Sequence, residues 1–91
     1  MRHYVIDFKY LSDYDSFWDL IIDALEFPDW FGRNLDAFWD LVTGWIEQPC
    51  KITLLNCTMV PETRRWTFDK MVELIKRAHD MHFEVDYEIR N

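Results

Sequence analysis

The chain has 91 residues, a length typical of one domain, and its composition is 49% hydrophobic and 18% aromatic, which excludes a disordered chain. A net charge of −7 opposes binding to nucleic-acid phosphates or to an anionic membrane surface. No apolar run approaches the roughly 20 residues that span a bilayer, and the N-terminus lacks the pattern of a cleaved signal peptide. We therefore expect one domain over residues 1–91, located in the cytoplasm.

The start of the chain predicts a strand followed by a helix. Residues 2–8 have the composition of a β-strand, and residues 11–27 place apolar side chains at the i, i+3, i+4, i+7 spacing of a core-facing helix. Ser12 is followed three positions later by Asp15, which resembles a capping box, so we expect this helix to have Ser12 as its N-cap.

A short break then leads into a second helix. Pro and Gly punctuate residues 27–34, and the two aromatic residues between them, Trp30 and Phe31, are expected to be exposed. Asn34 is a favourable N-cap for a helix over residues 35–46.

The second half of the chain predicts two more strands and another helix. Residues 51–56, KITLLN, are apolar and β-branched enough for a buried central strand. A turn or short irregular helix over residues 57–66 precedes a helix capped by Thr67, and residues 83–90 alternate strictly between apolar and charged.

Strands separated by helices favour right-handed crossovers, so the expected fold is α/β: a small three-stranded parallel sheet with packed helices. Cys50 and Cys57 flank the second predicted strand. An extended strand would hold their Cα atoms roughly 20 Å apart, whereas a disulfide needs about 7 Å or less. We expect no bridge, which fits a reducing compartment.

The second predicted helix carries an acidic stripe that the fold itself does not need. Asp36, Asp40, Thr43 and Glu47 follow one another at i, i+4, i+7 and i+11, and Gly44 adjoins them. Like charges four residues apart repel each other on a helix, and an internal glycine weakens it. The stripe is therefore either a solvated outer face or a binding patch, and its pattern leaves both open.

The other face of this helix is expected to pack inward. Its apolar members are Leu35, Phe38, Leu41, Val42 and Trp45, with Trp39 at the edge.

The segment FPDWFGRNLDAFWDLVTGWIEQP, residues 27–49, resembles the barstar family of intracellular inhibitors of barnase-type ribonucleases. The resemblance implies a parallel three-stranded sheet, no enzymatic activity and no cofactor. It also implies that the second helix and the preceding loop plug the active site of a basic ribonuclease or ribonuclease toxin, as a monomer in a 1:1 complex.

By the same resemblance, Asp40 would occupy the place of a substrate phosphate, and Asp36 would contact the basic surface around it. Trp30 would stack on the catalytic histidine of the nuclease, at a position where the family usually carries tyrosine. The other matching positions, in or behind the interface, are Phe31, Gly32, Asn34, Leu35, Ala37, Trp39, Thr43, Gly44, Trp45 and Glu47.

Two residues depart from the family pattern. Arg33 and, by pattern alignment, Arg77 stand where barstar carries acidic residues. Both would repel a basic nuclease, so the partner could instead have an acidic or neutral rim at these points, or be a toxin of another class.

Other functions remain as alternatives. Asp36 and Asp40 could be the paired carboxylates of a glycosidase, although one helix makes an unusual site for that reaction. His79 and His82 lack the spacing of a metal site, the cysteines have no neighbouring catalytic motif, and the basic side of the last helix fits a solvated face. An interaction or immunity module that keeps the fold but binds a different partner is the remaining alternative.

Overall fold

The computed structural model describes residues 1–91 and contains one three-stranded parallel sheet in the order β1-β2-β3. The strands are β1 (Arg2–Asp7), β2 (Cys50–Leu55) and β3 (Val85–Ile89). Cys50 lies opposite Arg2 on one side and opposite Val85 on the other. The apolar run KITLLN therefore supplies most of the central strand, and the predicted α/β fold with a parallel sheet is confirmed.

Three α-helices connect the strands: α1 (Phe17–Leu25), α2 (Leu35–Gly44) and α3 (Glu62–Asp80). Helices α1 and α2 lie between β1 and β2, and α3 lies between β2 and β3. Short 3-10 helices over Phe8–Asp13 and Cys57–Met59 follow the first two strands. None of the helices combines the length and the apolar character that crossing a membrane requires.

The start of α1 differs from the prediction. Its N-cap is Ser16, whose hydroxyl accepts a hydrogen bond of 3.2 Å from the backbone N–H of Asp19. The proposed cap, Ser12, lies in the first 3-10 helix instead. This short turn lets Phe8 and Phe17 stack with ring centroids 6.0 Å apart, so both rings reach the core.

The ends of α2 and α3 also differ. Helix α2 begins after its predicted cap, Asn34, but it ends at Gly44, before residue 46. Helix α3 begins at Glu62, directly after Pro61, so Thr67 is an internal residue and not an N-cap. Proline is compatible with a helix start and an acid suits the first turn, which explains the earlier beginning. Strand β3 begins two residues later than residue 83.

The core consists of 23 buried residues, all hydrophobic. Along β1, the buried Tyr4 and Ile6 alternate with the exposed His3 and Val5, so one face of the sheet carries the core. The α3 residues Phe68, Met71, Ile75 and Ala78 share one face of the helix and are buried, whereas Leu74 is only partly buried.

Candidate functional site

The loop before α2 presents one aromatic residue and buries the other. Phe31 is only 4% exposed, and its ring lies 5.0 Å from that of Phe27 and 5.6 Å from that of Trp18, centroid to centroid. Its backbone N–H donates to the carbonyl oxygen of Pro28 at 3.0 Å, which turns the chain inward. The expectation that Phe31 is exposed was therefore wrong, and the residue lies behind the surface.

Trp30, in contrast, is 68% exposed and packs edge-to-face against Trp45, with ring centroids 5.3 Å apart. Trp45 is itself 50% exposed, although its spacing placed it on the packed face of α2. Trp45 is the C-cap of α2, and its backbone N–H still donates to the carbonyl oxygen of Leu41 at 2.9 Å, but its side chain is exposed and does not reach the core. The two indoles form an exposed aromatic pair beside α2.

Three of the predicted site residues fasten the loop to the helix. The side-chain carbonyl of Asn34 accepts from the backbone N–H of Ala37 at 2.8 Å, and its amide donates to the carbonyl oxygen of Gly32 at 3.0 Å. A Cβ atom at position 32 would lie 3.2 Å from the Cβ of Ala37, a close approach that favours glycine. These contacts fix the path by which the loop enters α2.

Asp36 and Asp40 are exposed and line a groove of about 380 Å³ between α2 and α3, which we call the α2–α3 groove. Neither carboxylate has a cationic group within salt-bridge distance, since none of the six salt bridges in the structure includes them. The groove is lined by Leu35, Asp36, Trp39 and Asp40 of α2 and by Lys70, Glu73, Leu74 and Arg77 of α3.

Trp39 joins the two sides of this groove. It is partly buried, and its ring meets that of Phe83 edge-to-face at 6.2 Å. The guanidinium carbon of Arg77 lies 5.9 Å from the Trp39 ring centroid, a cation–π arrangement. The charged head of Arg77 is thereby held beside the acidic residues of α2.

The acidic stripe on α2 is shorter than predicted. The Thr43 hydroxyl donates to the carbonyl oxygen of Trp39 at 2.7 Å, and a Cβ atom at Gly44 would have no heavy atom within 4 Å. Glu47 lies beyond the helix and borders a separate cavity with Arg2. The prediction that Glu47 continues the stripe of Asp36 and Asp40 was wrong, because the helix does not extend that far.

The charge of Arg33 is paired within the chain. Its guanidinium forms a salt bridge with Asp19 of α1, and this hydrogen bond holds the pKa of the Asp19 carboxyl below its ordinary value. Arg33 therefore ties the loop to α1.

The structure also bears on the catalytic alternatives. Cys50 and Cys57 are buried free thiols, and burial raises the pKa of both, which disfavours the reactive thiolate. The Nδ1 atom of His79 lies 3.0 Å from the carbonyl oxygen of Val85. No group of three or more His, Cys, Asp or Glu side chains is placed to hold a metal ion.

The sequence pattern of the family described as Barstar (barnase inhibitor) matches residues 1–89 of this chain. The chain belongs to the barstar family. It is also 35% identical over 80 residues to a protein of Bacillus subtilis (strain 168) named "Putative ribonuclease inhibitor YrdF", an alignment that covers 88% of each chain. The resemblance found in residues 27–49 is confirmed, and the family is one of inhibitors and not of enzymes.

Within this barstar fold, α3 supplies a side of the groove that the sequence patterns do not predict. Lys70, Glu73 and Leu74 line it opposite the acidic residues, whereas the sequence predicts only that the basic side of this helix is a solvated face. Their i, i+3, i+4 spacing with Arg77 shows that they share one side of α3. Nothing in the local sequence indicates that this side faces α2.

Proposed function

We propose that this chain inhibits a ribonuclease by placing α2 and the loop before it in the nuclease active site, with Asp40 in place of a substrate phosphate. The observation that carries the proposal is that Asp36 and Asp40 are exposed on one groove without a salt-bridge partner in the chain. Membership of the barstar family and the name of the Bacillus relative support the same function.

Such a complex would explain why Asp36 and Asp40 lie next to each other on α2. Two carboxylates four residues apart destabilise an isolated helix by about 0.2–0.5 kcal/mol. A nuclease active site must be cationic to bind the phosphates of RNA, so it would neutralise both charges and attract them over a distance. The pair is costly in the free protein and favourable in the complex.

The exposed pair of Trp30 and Trp45 would supply the apolar part of the interface. Tryptophan is enriched among the residues that dominate binding energy, and such residues cluster near the centre of an interface. Trp30 would stack on the catalytic histidine of the nuclease. The proposed complex contains one inhibitor and one basic ribonuclease or ribonuclease toxin, and it needs no cofactor.

A second candidate is an interaction or immunity module with the same fold and a partner of another class. The Arg77 cation on the α3 side of the groove favours this second candidate, because the charge would repel a wholly basic partner surface.

The test is inhibition of barnase at low salt by the wild type, by Asp40→Ala and by Asp13→Ala. Asp13 is an exposed acid outside the groove, so it controls for the loss of one negative charge. We expect Asp40→Ala to weaken inhibition about 30-fold or more, the effect of losing a dominant interface residue. Its free energy of unfolding should stay unchanged or rise by up to about 1 kcal/mol, because a repulsion is removed and alanine favours helix more than aspartate does.

A folded Asp40→Ala protein that inhibits as well as the wild type would contradict the proposed role of Asp40. Absence of inhibition by both the folded wild-type protein and a folded Arg77→Glu variant would contradict inhibition of barnase-type enzymes and favour the second candidate.

A further inference from the structure

The α3 side of the groove carries a continuous stripe of exposed or partly exposed side chains. Trp66, Lys70, Glu73 and Arg77 lie at i, i+4, i+7 and i+11, within about 60° of one another around the helix. The Lys70 ammonium lies 5.8 Å from the Trp66 ring centroid and 3.3 Å from the Glu73 carboxylate. The charge of Lys70 is thus partly satisfied inside the stripe.

Arg77 differs from Arg33 and Lys70, the other two cations beside the acidic residues of α2. Arg33 is paired with Asp19 and Lys70 is paired with Glu73. Arg77 takes part in none of the salt bridges, and its guanidinium contacts the face of Trp39. It is exposed, so its hydrogen-bond donors remain available to a partner.

The position of Arg77 makes its charge part of any interface that uses Asp40. Both residues line the same groove of about 380 Å³, so a partner that covers Asp40 also removes water from around Arg77. A buried cation without an acceptor is costly, whereas a carboxylate can accept two parallel hydrogen bonds from a guanidinium. The favoured partner surface therefore has cations opposite α2 and a carboxylate opposite α3.

We propose that Arg77 is a specificity-determining residue, which selects a ribonuclease that carries an Asp or Glu side chain beside its basic active site. The inference rests on the proposed function and gives it a partner of defined charge pattern. A ribonuclease with a basic residue at that point is disfavoured. Arg33 has no such role, because Asp19 already neutralises it.

The first test uses barnase as a basic probe. Inhibition at low salt is measured for the wild type, Arg77→Gln, Arg77→Glu and the control Lys76→Glu, whose side chain is exposed about 100° around the helix from Arg77. We expect Arg77→Glu to inhibit about tenfold more strongly than the wild type, with Arg77→Gln between them. The difference should shrink at 0.5 M NaCl, since salt screens exposed charges. Lys76→Glu should change inhibition by less than about threefold.

The second test is a charge exchange with barnase variants in which each Arg or Lys around the active site is changed singly to Glu. One such barnase variant should bind the wild-type inhibitor, which carries Arg77, more tightly than unmodified barnase does. The same barnase variant should bind the Arg77→Glu inhibitor more weakly than unmodified barnase does. This reversal identifies a direct pair of charges, because a general change in net charge would affect all positions alike.

The two proposals fail in different ways. If Asp40→Ala loses inhibition but a folded Arg77→Glu inhibits no better than the wild type, Arg77 does not determine specificity and the inhibitor function stands. If Arg77→Glu gains no more than Lys76→Glu, the effect is one of net charge, and the inference is also wrong. If no variant inhibits barnase, both proposals are overturned for this class of nuclease.

Discussion

Replacing Phe31 or its neighbour Trp30 by alanine should separate folding from binding within one loop. Phe31 is 4% exposed and contacts the rings of Phe27 and Trp18. Loss of a buried phenylalanine ring costs about 3–5 kcal/mol, because apolar contacts are lost and a cavity remains. Chains of this size lose about 4–8 °C in Tm for each kcal/mol, so Phe31→Ala should melt at least 12 °C below the wild type.

Trp30→Ala should behave in the opposite way. The side chain is 68% exposed and its main contact is the half-exposed Trp45, so its removal should cost less than about 1 kcal/mol of stability. Its loss should weaken inhibition of the nuclease about 30-fold, the effect of a dominant interface residue.

The assay combines thermal unfolding followed by circular dichroism with inhibition measured at 15 °C, near the temperature at which small domains are usually most stable. Inhibition is expressed per folded molecule. A Tm for Phe31→Ala within 4 °C of the wild type would show that the ring is not a core residue. A loss of Tm in Trp30→Ala as large as that in Phe31→Ala would show that Trp30 is not a surface residue.

Two further predictions concern the helix end and acid stability. Gly44→Ala should raise the free energy of unfolding by about 0.5–1 kcal/mol, because the new methyl group meets no atom within 4 Å and alanine favours helix. A urea titration measures this change, and a loss of stability would contradict the open space at that residue. Weaker inhibition by the stabilised variant would place the partner against Gly44. The hydrogen bond from Arg33 lowers the pKa of Asp19 below its ordinary 3.8, and the hydrogen bonds from Lys51 and then Arg90 lower that of Glu88 below 4.5. Both groups bind protons more readily in the unfolded chain, so their stabilising effect is complete above these ordinary values and is lost as the pH falls through the lower folded values. Urea unfolding from pH 6 to pH 2 should show this decline, and Arg33→Gln should make it shallower; an unchanged slope would contradict the stabilising role of the Arg33–Asp19 pair.

Local sequence patterns predicted the number and order of the main elements because hydrophobic periodicity is a local property. The run KITLLN indicated the central strand, and Asn34 indicated the start of α2. The choice between Ser12 and Ser16 as the cap of α1 was not local, since each is followed three residues later by an aspartate. The stacking of Phe8 on Phe17 accompanies the use of Ser16.

The acidic pair of the candidate site was also a local pattern, because residues four apart always share one face of a helix. The fate of the neighbouring aromatics was not. Trp30 and Phe31 are adjacent and similar in hydrophobicity, but only Phe31 meets the cleft formed by Phe27 and Trp18. Glu47 lies off the expected helical face because α2 ends at Gly44, and Trp45 is exposed at the C-cap of the helix.

The strand and helix types, the pair of Asp36 and Asp40 and the family follow from neighbouring residues and were predictable without a structure. Which charges are paired depends on the tertiary packing. Arg33, in the loop after α1, forms a salt bridge with Asp19 of α1, whereas Arg77 of α3 lines the same groove as Asp40 of α2. Such pairings depend on how α1, α2 and α3 pack on the sheet, and the spacing of residues along the sequence does not give the distances between helices.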